Sequence, residues 1–376
     1  MRKNINAAII GTGMIAQVHC RAIKAVGGRV LGVVDTSPER AKQMADHWQV
    51  GVFESAEQAL SDPEVDVIHV CTPNAFHADL ARKALLANKH VICEKPLATT
   101  LADATELSEL ARQRGLIAAV PFVYRYHPMV REAKALIEAG DLGPLHLIHG
   151  SYLQDWLLGM SDNNWRVDPK QGGASRAFAD IGSHWCDLIE WLAGERFVEL
   201  IARFSTAQKE RSADAAETFS EHSAVVTNKV AVTTEDIATV MFSTQSDIPV
   251  SLTISQVSAG RKNRLWFEID GEQKSVVFDQ ELPEQLWLNS RDAQTLLVRD
   301  PSRGSAEQKR LSITPAGHAQ GFSHCFEAFV GDVYQAIQGA QPIGLPTFSD
   351  GLRAAQIIDA VLKSKESKTW MPIETL

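Results

Sequence analysis

The chain is poor in cysteine, and the few it has are not arranged for any chemistry. Cys20, Cys71, Cys93, Cys186 and Cys325 are odd in number, widely spaced and form no Cys-x-x-Cys pair. That pattern argues against a disulfide framework or a zinc knuckle, and it fits reduced thiols in a cytoplasmic protein that holds no metal. Each is expected to be a small buried hydrophobe. Positive charge is also short: the formal net charge is −9, the wrong sign for a nucleic-acid footprint. No apolar run is long enough to cross a membrane. After Arg2 and Lys3 a strand-like run begins, without the long apolar region and small-residue cleavage site of a signal peptide. Low-complexity tracts, Gly/Ser linkers and internal repeats are absent too. What remains is 376 residues, 45% of them apolar, enough for two folded domains with a compact join.

What is present begins with glycine. Ile5 to Ile10 is a short apolar run ending at Gly11-Thr12-Gly13-Met14-Ile15-Ala16, and an amphipathic segment follows from Met14 to Val26. Strand, tight turn and helix in that order suit a dinucleotide. Gly11 permits the turn, Gly13 admits a pyrophosphate, Ala16 lets the helix pack closely, and the helix N-terminus faces the phosphates. A second strand, Arg29 to Val34, ends at Asp35, where an acid can accept from a ribose 2′-hydroxyl. A carboxylate there repels a 2′-phosphate, so NAD is favoured and NADP is the alternative. Arg40 either reaches such a phosphate or is a solvated residue of the helix opened by Ser37-Pro38-Glu39.

The alternation continues with strands at Val65 to Cys71, Lys89 to Cys93 and Leu116 to Val120, and helices at Phe76 to Ala87 and Leu101 to Arg114. Strands alternating with helices predict a doubly wound parallel sheet. Thr72, Pro73, Asn74 and His77 fall at the same sheet edge as the glycines and can line the nicotinamide-ribose half of the crevice; His77 is equally readable as a solvated first-turn residue. At Glu94-Lys95-Pro96 a strand ends in a charged pair followed by proline. Pro96 biases Lys95 away from helical geometry and leaves its ammonium at the carboxyl end of a strand, the ligand side of such a sheet.

Near residue 122 the periodicity changes. One helix, Met129 to Ala139, precedes a mainly strand-like region: Leu145 to Leu153, Val230 to Phe242, Ile248 to Val257, Leu265 to Ile269, Ser275 to Phe278 and Gln285 to Asn289. A helix is expected from Gly321 to Ile337. Residues 1–122 therefore read as the dinucleotide domain and 123–376 as an α+β domain, with the polar stretch Gln208 to Asn228 as a mobile hairpin or oligomer arm.

The second domain carries Trp165-Arg166 and then the segment Ser175 to Trp191. In a helix Asp180 and His184 share one face, with Asp187 three further on. A carboxylate beside an imidazole suits a general base; a helix cap plus a structural histidine has the same spacing.

Taken together, Gly11-Thr12-Gly13 with Asp35, Thr72-Pro73-Asn74 with His77, Glu94-Lys95-Pro96, Trp165-Arg166 and Asp180-x-Gly-x-His184-x-x-Asp187 resemble the Gfo/Idh/MocA oxidoreductases over nearly the whole chain. The resemblance implies a Rossmann domain followed by a domain with a large, mostly antiparallel open sheet that makes a homodimer or homotetramer contact. It implies Lys95, Asp180 and His184 as catalytic residues acting on a secondary alcohol of a sugar, glycoside or inositol. Glu94, Trp165 and Arg166 would join the cofactor side, with Tyr124, Arg125 and Trp165 on the substrate side. His318, in a loop before the helix of Gly321 to Ile337, either reaches the substrate pocket or is a surface residue. Tyr124, Tyr126, Trp156 and Trp165 suit stacking on a sugar face, or are plain core. Arg125, Arg166 and Arg176 leave room for a phosphorylated or carboxylated sugar. Arg176, where related chains carry glycines, points to cofactor or substrate or is an ion-pair partner. Two other activities fit the same residues, a dinucleotide-sensing regulator and an NAD-dependent glycosidase.

Overall fold

The computed structural model describes residues 4–213 and 228–374. In chain order the elements begin with β1 (Asn6–Ile10), α1 (Met14–Ala25), β2 (Arg29–Val34), α2 (Pro38–Trp48), β3 (Gly51–Val52), α3 (Ala56–Ser61), β4 (Val67–Val70), α4 (His77–Leu86), β5 (His90–Cys93), α5 (Leu101–Arg114) and β6 (Ala118–Ala119). There follow α6 (Pro128–Glu138), β7 (Leu145–Leu153), α7 (Pro169–Gly172), α8 (Ser183–Ala193), β8 (Phe197–Ser205), β9 (Glu210–Ser212), β10 (Lys229–Ala231), β11 (Ile237–Thr244), β12 (Pro249–Ser255), β13 (Arg264–Gly271) and β14 (Lys274–Asp279). The last are β15 (Gln285–Ser290), β16 (Gln294–Val298), α9 (Ala306–Leu311), α10 (Phe322–Ile337), α11 (Phe348–Ser367) and β17 (Met371–Pro372).

The chain divides into two compact units. One takes the chain through Val123 together with Phe322–Ala355; the other takes Tyr124–Gly321 and the chain from Gln356 on. The sequence-based boundary near residue 122 left 322–355 with the later residues. In the structure α10 packs on α1, and Phe348, Leu352, Ala354 and Ala355 join the apolar core of the first unit.

The first unit is a six-stranded sheet in the order β3-β2-β1-β4-β5-β6, parallel throughout. This is the doubly wound order in which the direction of winding reverses between β1 and β4, opening a crevice at their carboxyl ends. Both faces are covered, so β4 and β5 are apolar apart from His69 and His90: Val67, Ile68, Val70, Val91, Ile92 and Cys93 are all buried. The helices start where side chains can satisfy their first N–H groups. Ser37 accepts from Arg40 N at 3.3 Å and Thr100 from Asp103 N at 3.1 Å. Gly115, at φ +62°, closes α5.

The second unit is built on a nine-stranded sheet, β16-β15-β14-β13-β7-β12-β11-β8-β17. Every pairing is antiparallel except β7 with β12. Period-two alternation gives it one buried face, carrying Val240, Phe242, Leu252, Ile254, Phe267 and Ile269. Helix α8 lies close against that face. A Cβ on Gly150 would stand 2.5 Å from Trp185 Nε1, and the same indole nitrogen donates to Trp266 O at 3.0 Å.

One strand expectation is corrected. Val230 to Phe242 is not continuous but splits into β10 and β11. The intervening Thr234, Glu235 and Asp236 are buried and bond other segments, so they leave the sheet ladder. Strands β8 and β16 had no sequence expectation. Of the polar stretch Gln208 to Asn228, the described part forms β9, which pairs with β10 just beyond the stretch; residues 214–227 lie outside the described residues.

Candidate active site

In the first unit the glycine turn is dictated by its neighbours. Gly11 has φ +102°, and a Cβ there would stand 2.5 Å from Cys71 O, so no other residue fits. Gly13 is the N-cap of α1, with nothing within 4 Å of where its Cβ would be. No side chain caps this helix and no acid occupies its first turn, so its first turn suits an anion at the N–H groups of Met14 and Ile15. Asp35 follows β2. Its carboxylate accepts from Thr12 Oγ1, and from Ser37 N at 3.0 Å. These residues form a cradle for a pyrophosphate and an acceptor for a ribose hydroxyl, and they fit a dinucleotide. Thr72 adds to the fit, since its Oγ1 is buried with no hydrogen-bond partner among the described residues.

His77 is neither solvated nor lining a crevice. It is 1% exposed, with Nδ1 2.8 Å from Pro96 O and Nε2 2.9 Å from Thr72 O. Burial lowers its pKa even against those two carbonyls, so a neutral ring tethers the Thr72-Pro73-Asn74 turn to the Glu94-Lys95-Pro96 turn. Lys95 lies two residues past β5 and precedes a cis peptide bond to Pro96. Its backbone N–H donates to Glu94 Oε2 at 3.2 Å. Glu94 is buried; burial alone would raise its carboxyl, but the hydrogen bond from His19, with Lys95 close by, outweighs that and holds it below the usual range.

In the second unit Asp180 lies inside a helical run, in a π-turn over Phe178–Gly182 that leads straight into α8 and His184. It is therefore not the cap. Glu235 is: its carboxylate accepts from Arg176 N and Phe178 N, both at 2.9 Å, and from Ser175 Oγ at 2.8 Å. Asp180 faces Arg166 Nε at 3.5 Å and accepts from Gln256 Nε2 at 2.8 Å. The Arg166 guanidinium stacks 4.4 Å over the ring of Trp165 and 5.8 Å over that of Trp156. His184 is 7% exposed and meets the edge of Tyr124, ring centroids 4.8 Å apart. The Tyr124 hydroxyl shares a 2.5 Å bond with Tyr152, which donates to Asn263 Oδ1 at 2.7 Å. Burial, then Tyr124 and Asp180, push the Tyr152 hydroxyl well above its ordinary pKa, so it stays protonated.

For four of the expected residues the structure shows which environment the side chain occupies. Arg125, expected at the substrate, is buried in a two-pronged ion pair with Asp187, with Nε donating to Oδ2 at 2.8 Å and Nη2 to Oδ1. Arg176 is likewise consumed, bonding Asp236 and, at 3.1 Å, Gln256 Oε1; of its readings the ion-pair partner is the one observed. His318 is exposed, and the bonds that anchor it run to its carbonyl, from Arg299 at 2.8 Å and Thr314 at 2.7 Å. Tyr126 is core, 1% exposed beneath the Arg131 guanidinium. The residues that sequence reasoning missed are Gln256, Glu235, Tyr152 and Asn263, which lie far from their partners along the chain, and His19, His69 and Tyr334. For His69 the one signal was a histidine inside the otherwise apolar strand Val67-Ile68-His69-Val70.

The first unit's fold and cradle define a dinucleotide-binding oxidoreductase. Residues 5–122 match the family model of the Gfo/Idh/MocA oxidoreductases, described as an NAD-binding Rossmann fold, and residues 130–277 match that family's C-terminal domain. The chain is 30% identical over 395 aligned residues to a levoglucosan dehydrogenase of Pseudarthrobacter phenanthrenivorans, spanning 99% of this chain and 98% of that one. Among solved structures it superposes with TM-score 0.89 on an oxidoreductase domain protein from Kribbella flavida, at 28% identity and full coverage of both chains. It does so equally, at TM-score 0.89 and 26% identity, on a levoglucosan dehydrogenase in complex with NADH and levoglucosan, covering 99% and 100% of the two chains. The chain belongs to the Gfo/Idh/MocA family and is an NAD-binding oxidoreductase.

Proposed function

We propose that this enzyme is a sugar or polyol dehydrogenase that passes a hydride between a secondary alcohol of a sugar, glycoside or inositol and NAD. The observation that carries the reading is the position of Lys95, two residues past β5 at the carboxyl edge of the parallel sheet, in a turn held by Glu94 and His77. Gly11, Thr12, Gly13, Met14, Ile15 and Asp35 would hold the dinucleotide, with Thr72, Pro73 and Asn74 along the crevice. Bound NAD supplies the hydride acceptor. Lys95, a fixed cation, would hydrogen-bond the reacting oxygen and favour its developing negative charge. His184 would take the hydroxyl proton as general base, its ring steadied by Tyr124. Asp180, gripped by Gln256 and Arg166, would orient that imidazole or hold a neighbouring hydroxyl. Trp165 and Tyr124 offer faces for a sugar ring, and Arg166 a charge for cofactor or substrate.

We also assign the protein to the cytoplasm as a homodimer or homotetramer. Supporting an assembly, Leu147, Met241, Trp287, Leu296 and Val298 all stand exposed on the face of the nine-stranded sheet opposite its buried one. No helix among the described residues is long and apolar enough to cross a membrane.

The test is NADH absorbance during incubation with NAD and a panel of anhydrosugars, free aldoses, glycosides and inositols, beside Lys95→Ala. Turnover of at least one member, lost about a hundredfold or more in the variant, is the expected result. Tight NAD binding with no turnover in either direction would overturn it.

A further inference from the structure

Within the first unit, four polar side chains meet in the interior. His19 on α1 and His69 on β4 are both 0% exposed; Glu94, after β5, is 7% exposed and Tyr334 on α10 is 5% exposed. His19 Nε2 lies 3.1 Å from Glu94 Oε1, His19 Nδ1 2.8 Å from His69 Nδ1, and His69 Nε2 3.1 Å from the Tyr334 hydroxyl. Phe326 meets the His19 ring edge-on at 4.7 Å.

Hydrogen-bond chemistry gives these contacts a direction. An ionised carboxylate only accepts, so His19 Nε2 carries a hydrogen. A neutral imidazole has one N–H, so His19 Nδ1 is bare and accepts from His69 Nδ1. His69 Nε2 is then bare in turn and accepts from Tyr334. All three donors point toward Glu94, and each buried polar atom in the series is satisfied. One more proton, on His19, would reverse the other two bonds. Complete burial holds the His69 imidazole well below its ordinary pKa, with His19 adding to the effect. The other titratable groups around the series are Lys95, His77, Cys71 and Cys93 toward Glu94, and Asp66 toward Tyr334.

We propose that Tyr334, His69 and His19 are positioning residues. They form a one-way series of hydrogen-bond donors that fixes the Glu94 carboxylate, whose second oxygen holds the backbone N–H of Lys95 and so sets where the Lys95 ammonium is presented. The consequence for Lys95 rests on the function proposed above; the direction of the hydrogen bonds does not.

Nitrogen-15 NMR of the full chain labelled at histidine reads which ring nitrogen carries hydrogen, with His19→Gln and His69→Gln assigning the signals. Near neutral pH, His19 should show hydrogen on Nε2 alone and His69 on Nδ1 alone, and Tyr334→Phe should release the His69 preference. An imidazolium at His19, or hydrogen on His69 Nε2, overturns the series. Kinetics test the positioning role. His19→Leu should lower kcat for NAD reduction about tenfold or more, the scale of a lost hydrogen bond to a charged group, with KM for NAD little changed. His19→Gln, whose amide can donate to Glu94, should recover most of that loss. Equal losses in the two variants would overturn the role. An unaltered protein that reduces no NAD overturns the proposed function and the Lys95 consequence with it, while the ring-nitrogen result stands or falls alone.

Discussion

Gln256 donates from Nε2 to Asp180 Oδ2 at 2.8 Å and accepts at Oε1 from Arg176 Nη1 at 3.1 Å. One amide thus ties a carboxylate of the candidate site to a fully buried ion pair, Arg176 with Asp236.

Gln256→Leu should therefore lower kcat by about tenfold, the cost of freeing a charged acceptor, with little change in NAD affinity. Gln256→Glu tests the electrostatics. A second carboxylate beside Asp180 raises its pKa, so the acid limb of the pH–rate profile should move to higher pH. Arg176→Met should destabilise the fold by about 3 kcal/mol in denaturant unfolding, the low end for breaking a buried pair, because Arg211 remains 2.9 Å from Asp236.

Asp35 should decide the choice of cofactor. Its carboxylate sits beyond β2, bonded by Thr12 and by Ser37 N. Asp35→Ser removes both the acceptor for a ribose hydroxyl and the charge that repels a 2′-phosphate. Fluorescence titration should show NADH binding about tenfold weaker and NADPH binding stronger; unchanged affinities for both would refute this placement of the ribose.

His127 should give stability a pH dependence. Its ring is 1% exposed, lies parallel to Tyr124 with centroids 6.1 Å apart, and has no partner at Nε2 among the described residues. Burial lowers its pKa to about 4, below the ordinary value of an unfolded histidine. The unfolded chain thus binds the proton more tightly. Folding stability should fall as pH drops from about 6.5 toward 4, by up to about 3 kcal/mol in all. His127→Phe should flatten that part of the curve in thermal unfolding followed by circular dichroism; an unchanged slope would exclude His127 as its source.

The first half of the fold was legible because its signals are local. A glycine turn between a strand and a helix, an acid at the next strand end and a proline after Glu94-Lys95 each act within a few residues, and β1, α1, β2, α4, β5 and α5 lie within two residues of their expected ends. The second half was legible in type more than in extent. Alternation marked most strands, but Glu235 and Asp236 could not be told from strand residues until Arg176 and the start of the π-turn were seen against them.

The sequence by itself determined the dinucleotide cradle and the position of Lys95, because backbone sterics and strand ends are set by adjacent residues. Only the tertiary structure decided which polar side chains bond one another. Gln256 meets Asp180 across 76 residues, and Tyr334 meets His69 across 265. No spacing along a chain encodes such pairs, since they exist only once separate elements have packed and brought buried donors and acceptors together.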